Sequence, residues 1–232
     1  MPAEPGQRRA NLWWRLVRFG FSLLYHQLAW TYDAVAWLVS FGKWRAWGRT
    51  ALPHLIGERV LELGHGPGHL LATLVSQGFK PMGLDLSPHM SRLARKRLRR
   101  LGLAGLPLVR APAQELPFAA NAFDSVVATF PTPFIVQPDT LAEIARVLRP
   151  AGRLVIVAGA RLTGRDPLSR FVEWLYRLTG QREIPAGDTW LEPFAQAGFS
   201  VRVVLVDPSP TTPIGKSQVL LLLADLKEGS RN

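Results

Sequence analysis

The sequence predicts an α/β fold in which strands of a parallel sheet alternate with helices, and three observations lead to this prediction. A short apolar segment enters a glycine-rich loop and is followed at once by an apolar helical pattern, all within Arg59–Leu71. Strand and helix patterns then alternate as far as Ala158. An acidic residue, Asp85, stands at the end of the second predicted strand. The order of these features is typical of a doubly wound sheet.

The glycine-rich loop carries glycines at positions 64, 66 and 68. Glycine allows positive φ angles and lets the backbone pass close to a ligand. The helix predicted to begin near Pro67 directs free N–H groups toward the loop. A turn chosen only for packing could have the same sequence, so the loop acquires functional meaning only together with the rest of the chain.

Each further element follows from apolar periodicity bounded by glycine, proline or capping residues. The predicted strands are Val60–Leu63, Lys80–Leu86, Leu106–Arg110, Phe123–Thr129, Leu154–Ala158, Ser200–Val206 and Gln218–Ala224. The predicted helices are Leu70–Gln77, a helix that begins at Ser87-Pro88, Leu141–Leu148, a helix around Leu168–Leu178 and Leu191–Ala197. Residues 1–50 are predicted to form a helical lid, residues 51–227 the main domain, and residues 159–187 a cap within it.

Composition limits the function classes. The chain has 232 residues, of which 47% are hydrophobic, and this fits a globular protein. It contains no cysteine, which excludes disulfides, thiolate metal sites and thiol nucleophiles, and no metal site is predicted. No apolar segment reaches the length of a membrane span, and a signal peptide is not expected because arginines interrupt the apolar N-terminal region. The predicted location is therefore cytoplasmic.

The N-terminal region is unusually rich in tryptophan. Six of the eight tryptophans precede the glycine loop. Helical periodicity over Asn11–Gln27 gathers a thin polar and basic stripe opposite a wide apolar face, as in helices that lie in a lipid headgroup layer. A lid helix packed on the domain would show the same pattern. The expectation is a lid that can also face the inner side of a membrane or an apolar substrate.

The net charge of +11 indicates attraction to an acidic partner, and the cations are concentrated. Six of them lie on the helix that begins at Pro88: Arg92, Arg95, Lys96, Arg97, Arg99 and Arg100. A solvated helix face and a patch for nucleic acid or anionic lipid are both compatible with this cluster.

Two acidic residues suggest what the glycine loop binds. Asp85 follows Glu62 by a little over twenty residues, which is where a Rossmann-like unit places the carboxylate that binds ribose hydroxyls. A strand-ending aspartate on the surface would be the structural alternative. Glu62, directly before the loop, would repel a phosphate and suits a cationic amino acid group.

With these elements placed, residues 59–158 resemble the class I S-adenosylmethionine-dependent methyltransferases of the small-molecule group. Four separated motifs carry the resemblance: Val60–Gly68, Gly83–Pro88, Glu115–Phe118 leading to Phe123-Asp124, and Arg146–Arg153. The fold implied is a Rossmann-like, doubly wound, seven-stranded sheet with an antiparallel final strand, here with an N-terminal helical lid.

The resemblance also implies the residues of an S-adenosylmethionine site. Glu62 and the loop, including His65, would hold the methionine part, Asp85 the ribose, and Leu86 the adenine face. Ala113 and Gln114 would border the adenine edge, and Thr129 and Phe130 the sulfonium. The cofactor-binding residues implied are Glu62, Gly64, His65, Gly66, Gly68, Asp85, Leu86, Ala113, Gln114, Thr129 and Phe130. Where the family often has an aspartate before the alanine, this chain has Pro112, so main-chain groups or Gln114 are expected to take over.

A second resemblance concerns the segment Tyr32–Trp47, which is similar to the N-terminal signature of ubiquinone/menaquinone-biosynthesis C-methyltransferases and, more weakly, to bacterial phosphatidylethanolamine N-methyltransferases. Ala36 replaces the usual asparagine, and Pro131–Phe134 replaces the Arg-Asn segment of the quinone enzymes. A lipophilic or membrane-associated acceptor is therefore expected, without commitment to a quinone.

The function expected is methyl transfer to a small, lipophilic acceptor, with Tyr32 and Asp33 as candidate catalytic residues. A general base is optional, because the leaving group of a sulfonium is already activated. An RNA or protein methyltransferase is the alternative enzyme, although nucleic acid is the less expected partner. A binding protein that retained the fold without turnover is the alternative of another class. The sequence does not indicate an oligomeric state.

Overall fold

The computed structural model describes residues 44–162, 191–208 and 217–227, and it confirms the predicted α/β sheet. Seven strands are hydrogen-bonded in the order β3-β2-β1-β4-β5-β7-β6. The strands are β1 Arg59–Leu63, β2 Lys80–Leu84, β3 Leu108–Val109, β4 Phe123–Thr129, β5 Leu148–Leu162, β6 Phe199–Val206 and β7 Ser217–Leu226. The helices are α1 Trp44–Arg49, α2 His69–Ser76, α3 Pro88–Arg100, α4 Pro138–Val147 and α5 Glu192–Gln196.

The direction of the strands agrees with the predicted antiparallel end of the sheet. The strands β1 to β5 pair in parallel wherever they are neighbours. Strand β7 is antiparallel to both β5 and β6. Parallel neighbours bring the carboxyl ends of β1, β2 and β4 to one edge of the sheet, and ligands of open α/β sheets bind at that edge.

Side chains alternate between two apolar cores, one on each face of the sheet. Strand β4 shows this most clearly: Val126 and Ala128 belong to one core, whereas Val127 belongs to the other. Six of its seven residues are buried, and the seventh, Thr129, is partly exposed. Burial on both faces explains why the central strands are nearly uniform in hydrophobicity rather than alternating.

Strand β5 differs from the prediction at both ends. The segment 150–153, predicted as a turn before a strand, lies inside β5, which begins at Leu148. The ladder with β4 has an irregularity there, between Phe123 and Ser125, and Ala151 has φ 59°. A left-handed residue inside a strand produces the bend that the Pro-Ala-Gly sequence suggested, without ending the strand. At the other end β5 continues to Leu162, so residues 159–162 of the predicted cap are strand.

Other boundaries shift by a few residues. Strand β2 ends at Leu84 rather than at Leu86, and β3 comprises only two residues. Helix α4 begins three residues earlier than predicted, because Pro138 occupies its first turn and supplies a suitable φ. The remainder of the predicted cap, the helix predicted over 168–178 and the lid segment 1–43 lie outside the described residues.

A buried carboxylate anchors the amino ends of the central strands. The Oδ2 atom of Asp124 accepts hydrogen bonds from the backbone N–H groups of Glu58 and Arg59 at 2.8 and 2.9 Å. Its Oδ1 atom lies 3.2 Å from the guanidinium groups of both Arg59 and Arg149. Gly57 has φ +62°, and a Cβ there would lie 2.4 Å from the Asp124 side chain. Only glycine therefore fits this turn.

These contacts predict the effect of replacing Asp124. Burial raises its pKa, but the hydrogen bonds from Arg59 and Glu58 and the charge of Arg149 outweigh burial and leave the pKa below its usual value. The stabilisation is therefore present above the pKa of the unfolded carboxyl and is lost as the pH falls through the lower folded pKa. We expect Asp124→Asn to reduce the free energy of unfolding at pH 7 by about 2–3 kcal/mol, measured by chemical denaturation.

The matched control is Asp139→Asn, since Asp139 is an exposed aspartate in the first turn of α4. It should cost less than about 1 kcal/mol. Equal losses in the two variants, or a difference between their losses that does not shrink as the pH falls, would contradict the assigned role of Asp124.

Candidate functional site

The glycine loop joins β1 to α2 and is held open by its backbone conformation. Gly64, Gly66 and Gly68 have φ angles of 67°, 52° and 78°. The N–H groups of Gly64 and His65 donate to the Leu84 carbonyl at 2.8 and 3.2 Å, which fixes the loop on β2. A Cβ at Gly64 or Gly66 would meet nothing within 4 Å among the described residues. The surface above these two glycines is therefore open space into which a ligand can fit.

Gly68 serves a different purpose in the same loop. A Cβ there would lie 3.0 Å from the Cβ of Ala94 on α3. The guanidinium of Arg97, also on α3, donates to the Pro67 carbonyl. Gly68 thus permits close packing of the loop against α3, while Gly64 and Gly66 face open space.

Asp85 links the loop to the start of α3. Its Oδ2 atom accepts from the Gly66 N–H group at 2.8 Å, and its Oδ1 atom accepts from the Ser87 N–H group at 2.8 Å. Ser87 in turn caps α3 by accepting from the Met90 N–H group at 3.3 Å. Each carboxylate oxygen retains a lone pair for a further donor. The carboxylate is thus oriented from both sides at the carboxyl edge of the sheet.

Glu62 is a buried acid beside the loop. Its side chain is 2% exposed, and its Oε2 atom has no hydrogen-bond partner among the described residues. Burial, followed by the negative charge of Asp85, raises the pKa of Glu62 well above its usual value, although a hydrogen bond from the Leu71 backbone opposes this. A buried carboxylate oxygen without a partner is costly, and a cationic donor would relieve that cost.

His65 lies beneath the loop and not on its open side. It is 3% exposed, and its Nδ1 atom donates to the Gly66 carbonyl at 2.7 Å in the tautomer that this contact requires. A Cβ at Gly83 would lie 2.9 Å from the imidazole, so the ring fills the space that this glycine leaves. Burial lowers the pKa of His65, although the nearby carboxylate of Asp85 opposes this effect. The lowered pKa keeps the ring neutral at pH 7.

The carboxyl end of β4 forms the opposite wall of the site. Phe130, directly after Thr129, has φ 50°, and its N–H group donates to the Val157 carbonyl at 2.8 Å. This conformation is unfavourable for a bulky residue and persists because neighbouring groups hold it. The ring centroid of Trp44 on α1 lies 4.0 Å from that of Phe130. Tryptophan from the N-terminal side therefore covers the end of β4.

The segments after β2 and β3 supply an apolar and amide surface. Leu86 is 62% exposed, whereas Ala113 is buried. The Gln114 Nε2 atom donates to the Gln137 Oε1 atom at 2.6 Å, as the two amides are assigned. Pro112, at the position where an aspartate was expected from the resemblance, is exposed. The Gln114 carbonyl oxygen is therefore the nearest side-chain acceptor that follows Ala113 in the chain.

An ion pair on α4 fixes the segment 115–118, which follows Gln114. Arg146 donates to both carboxylate oxygens of Glu143, at 2.6 and 2.8 Å, and also to the carbonyls of Leu116 and Phe118. Glu143 accepts from the Leu116 N–H group at 2.7 Å. Through Arg146, these contacts connect the motif segments 115–118 and 146–153. They clamp the loop from α4 and take no direct part in the open site.

The structure places the implied site residues within the described part of the chain, at the carboxyl ends of β1 to β4. Direct hydrogen bonds connect Asp85 with the glycine loop, and charge interaction connects it with Glu62. Tyr32 and Asp33, the candidate catalytic residues, lie outside the described residues. Sequence reasoning missed Gln137 as the partner of Gln114, and no motif marks it. It also missed the packing of Trp44 on Phe130, although the concentration of tryptophans was a general signal.

Comparison with known proteins finds similarity to methyltransferases. Residues 61–156 match a family model described as a methyltransferase domain. The chain is 34% identical over 155 residues to a ubiquinone/menaquinone biosynthesis C-methyltransferase of Pasteurella multocida, an alignment that covers 63% of this chain and 58% of that protein. It is also 34% identical over 139 residues to a demethylmenaquinone methyltransferase of Clavibacter sepedonicus, covering 58% and 56%. The chain thus matches under two thirds of the length of these curated relatives.

Solved structures show the same fold at lower identity. A putative S-adenosylmethionine-dependent methyltransferase of Methanococcus maripaludis superposes with a TM-score of 0.63 and 18% identity, covering 88% of this chain and 94% of that one. The geranyl diphosphate C-methyltransferase of Streptomyces coelicolor gives 0.57 and 18%, covering 78% of each chain. The predicted fold and the predicted resemblance to methyltransferases are confirmed. Among the described residues, no helix is both long and apolar enough to cross a bilayer.

Proposed function

We propose that this protein, which carries a methyltransferase domain over residues 61–156, transfers a methyl group from S-adenosylmethionine to a small lipophilic acceptor. One observation carries the cofactor assignment: a buried acid with an unpartnered oxygen and an oriented aspartate flank an open glycine loop. The buried acid suits an ammonium group, and the aspartate suits a ribose. The glycine loop offers a backbone surface that a ligand can approach closely.

The residues fit the cofactor part by part. Glu62 supplies the carboxylate for the methionine amino group, and the open surface at Gly64 and Gly66 accommodates the methionine chain. Asp85 receives the ribose hydroxyls on the lone pairs that its backbone contacts leave. Exposed Leu86 packs on one face of the adenine, and Thr129 and Phe130 border the sulfonium. His65 contributes its backbone to the loop and its ring to packing.

The chemistry requires alignment more than proton transfer. When bound, the cofactor supplies an activated methyl group on a positively charged sulfur. The residues of this chain position the acceptor and exclude water. Trp44 and Phe130 form an apolar wall suited to that purpose. Tyr32 and Asp33 remain candidates for accepting a proton from the acceptor, and His65 is unsuited because its ring is buried beneath the loop.

The acceptor class rests on two supports. The matched relatives are named for quinone biosynthesis, and a geranyl diphosphate C-methyltransferase shares the fold. The tryptophan-rich N-terminal region supplies apolar side chains near the carboxyl end of β4. Residues 11–27, which lie outside the described residues, are the proposed peripheral membrane contact at the inner face of the membrane.

The experiment that tests the function incubates the full chain with methyl-labelled S-adenosylmethionine and a cell extract. The products are then separated into lipid, small polar, RNA and protein fractions. We expect the label in the lipid fraction. Label in the RNA or protein fraction would replace the proposed acceptor with a macromolecule. A lack of transfer to every fraction, despite measurable cofactor binding, would favour a binding protein without turnover.

The Gln114–Gln137 pair leads to a prediction about adenine. Because the Nε2 atom of Gln114 is held by Gln137, its carbonyl oxygen is available to accept from the adenine amino group. We expect Gln114→Leu to raise the dissociation constant of S-adenosylmethionine about 5–10-fold and to remove discrimination against the inosine analogue, which lacks the amino group.

Calorimetric titration with both ligands measures this discrimination, and Gln196→Leu on the remote helix α5 is the matched control. If Gln114→Leu retains the preference for adenine over hypoxanthine, main-chain groups read the base instead.

A further inference from the structure

Helix α3 exposes a row of cations on one side. Arg92, Arg95, Lys96, Arg99 and Arg100 are all exposed, whereas Met90, Ala94 and Leu98 are buried on the other side. At 100° per residue the five cations fall within an arc of about 140°. We call these five residues the α3 basic face. From Leu86 to Gln114 the chain contains no acidic residue.

This face is electrostatically unfavourable for the isolated protein. Several pairs of these cations stand three or four residues apart, as Arg92 and Lys96 or Arg95 and Arg99 do, and like charges at these spacings repel. The helix dipole favours cations only in the last turn, so Arg92, Arg95 and Lys96 gain nothing from it. Among the described residues, none of the five forms an ion pair with an acidic side chain.

Helix α4 has a different composition of charges. It carries both signs of charge, and Arg146 is paired with Glu143 at 2.6 Å. A surface that serves solubility alone mixes charges in this way. The single sign on α3 therefore indicates an anionic partner.

We propose that the α3 basic face docks on the surface of an anionic phospholipid bilayer. Clusters of four to eight cations on one helix face are the usual footprint of such binding. The face is a convex helix surface about 12 Å long, which suits a plane of headgroups. Nucleic acid fits less well, because the segment 86–117 has no Phe, Tyr or Trp on which bases could stack.

The position of α3 gives this docking a consequence for the open site. The helix begins at Pro88, and its capping residue Ser87 donates its backbone N–H group to Asp85. The α3 basic face begins seven residues after Asp85 in the chain. The helix then runs away from the carboxyl edge, so a bilayer bound along this face would lie beside the sheet, with the Arg92 end of the face nearest to the open site. The inference does not rest on the proposed function, since binding to vesicles requires neither cofactor nor acceptor.

The test is sedimentation of the full chain with vesicles of phosphatidylcholine containing about 30% phosphatidylglycerol, and with vesicles of phosphatidylcholine alone. We expect binding to the anionic vesicles only, and weaker binding as salt increases. Arg95→Gln combined with Arg99→Gln should weaken it about 10-fold or more, given roughly five-fold per cation near an anionic surface. Glutamine preserves helix propensity, and circular dichroism checks the fold.

The matched control removes two cations elsewhere, Lys80→Gln with Arg202→Gln, both on exposed side chains. It should change vesicle binding less than two-fold. Equal weakening by the two double variants would mean that net charge alone acts, and no weakening by the α3 variant would mean that another surface binds. Either result would overturn the proposal. So would an α3 variant that loses binding to a labelled single-stranded RNA while its vesicle binding is unchanged.

Discussion

Asp85→Asn is expected to lower kcat/KM for S-adenosylmethionine by 100-fold or more. The carboxylate is oriented by the N–H groups of Gly66 and Ser87, one on each oxygen. An asparagine has only one oxygen, so its NH₂ group must face one of these two donors. The variant thereby loses loop geometry as well as two hydrogen bonds from the ribose to a charged acceptor, each worth about 1.5–3 kcal/mol.

The matched control is Glu192→Gln, which makes the same change of charge on an exposed residue of α5. It should leave kcat/KM within two-fold of the unmodified protein. Binding of S-adenosylmethionine, followed by calorimetry, separates lost affinity from lost turnover. If Asp85→Asn binds the cofactor as tightly as the unmodified protein, Asp85 is a structural bridge between the loop and α3 and not a ribose ligand.

Glu62→Gln is expected to weaken cofactor binding about 10-fold or more while stabilising the free protein at alkaline pH. The amide has nearly the shape of the carboxyl group but cannot carry the charge that attracts the methionine ammonium group. Burial and Asp85 raise the pKa of Glu62 well above its usual value. Between the unfolded and the folded pKa the native state binds more protons than the unfolded state, so stability falls as pH rises through that interval.

Glutamine removes this pH dependence. The free energy of unfolding of Glu62→Gln relative to the unmodified protein should therefore rise between pH 5 and pH 8, by about 1–3 kcal/mol. Thermal unfolding with and without S-adenosylmethionine at both pH values measures the two effects. A variant that is less stable at both pH values, yet binds the cofactor normally, would show that Glu62 has only a packing role.

The central fold was predictable because its local signals agree with its packing. Strands such as β4 are apolar on both faces, and the helices carry caps such as Ser87. Boundaries were less predictable where tertiary contacts override local sequence. The Pro-Ala-Gly segment has the composition of a turn, yet Leu148 before it and Arg153 after it both pair with β4, which keeps the segment within β5.

Parts of the candidate site could be predicted for a similar reason. Glu62, Asp85 and the loop glycines are recognisable from their spacing along the chain, which can be read directly from the sequence. Gln137 and Trp44 act through contacts across the fold, at 2.6 Å to Gln114 and 4.0 Å to Phe130, and no local pattern encodes these. The burial of His65 beneath the loop likewise depends on the space that Gly83 leaves on the neighbouring strand.

The most direct test of the central claim is calorimetric titration of the full chain with S-adenosylmethionine. A site composed of Glu62, the glycine loop and Asp85 predicts saturable binding of one cofactor per chain, and weaker binding in both Asp85→Asn and Glu62→Gln. Absence of saturable binding to the folded, unmodified protein would contradict the account, since every step of the proposed function begins with that complex.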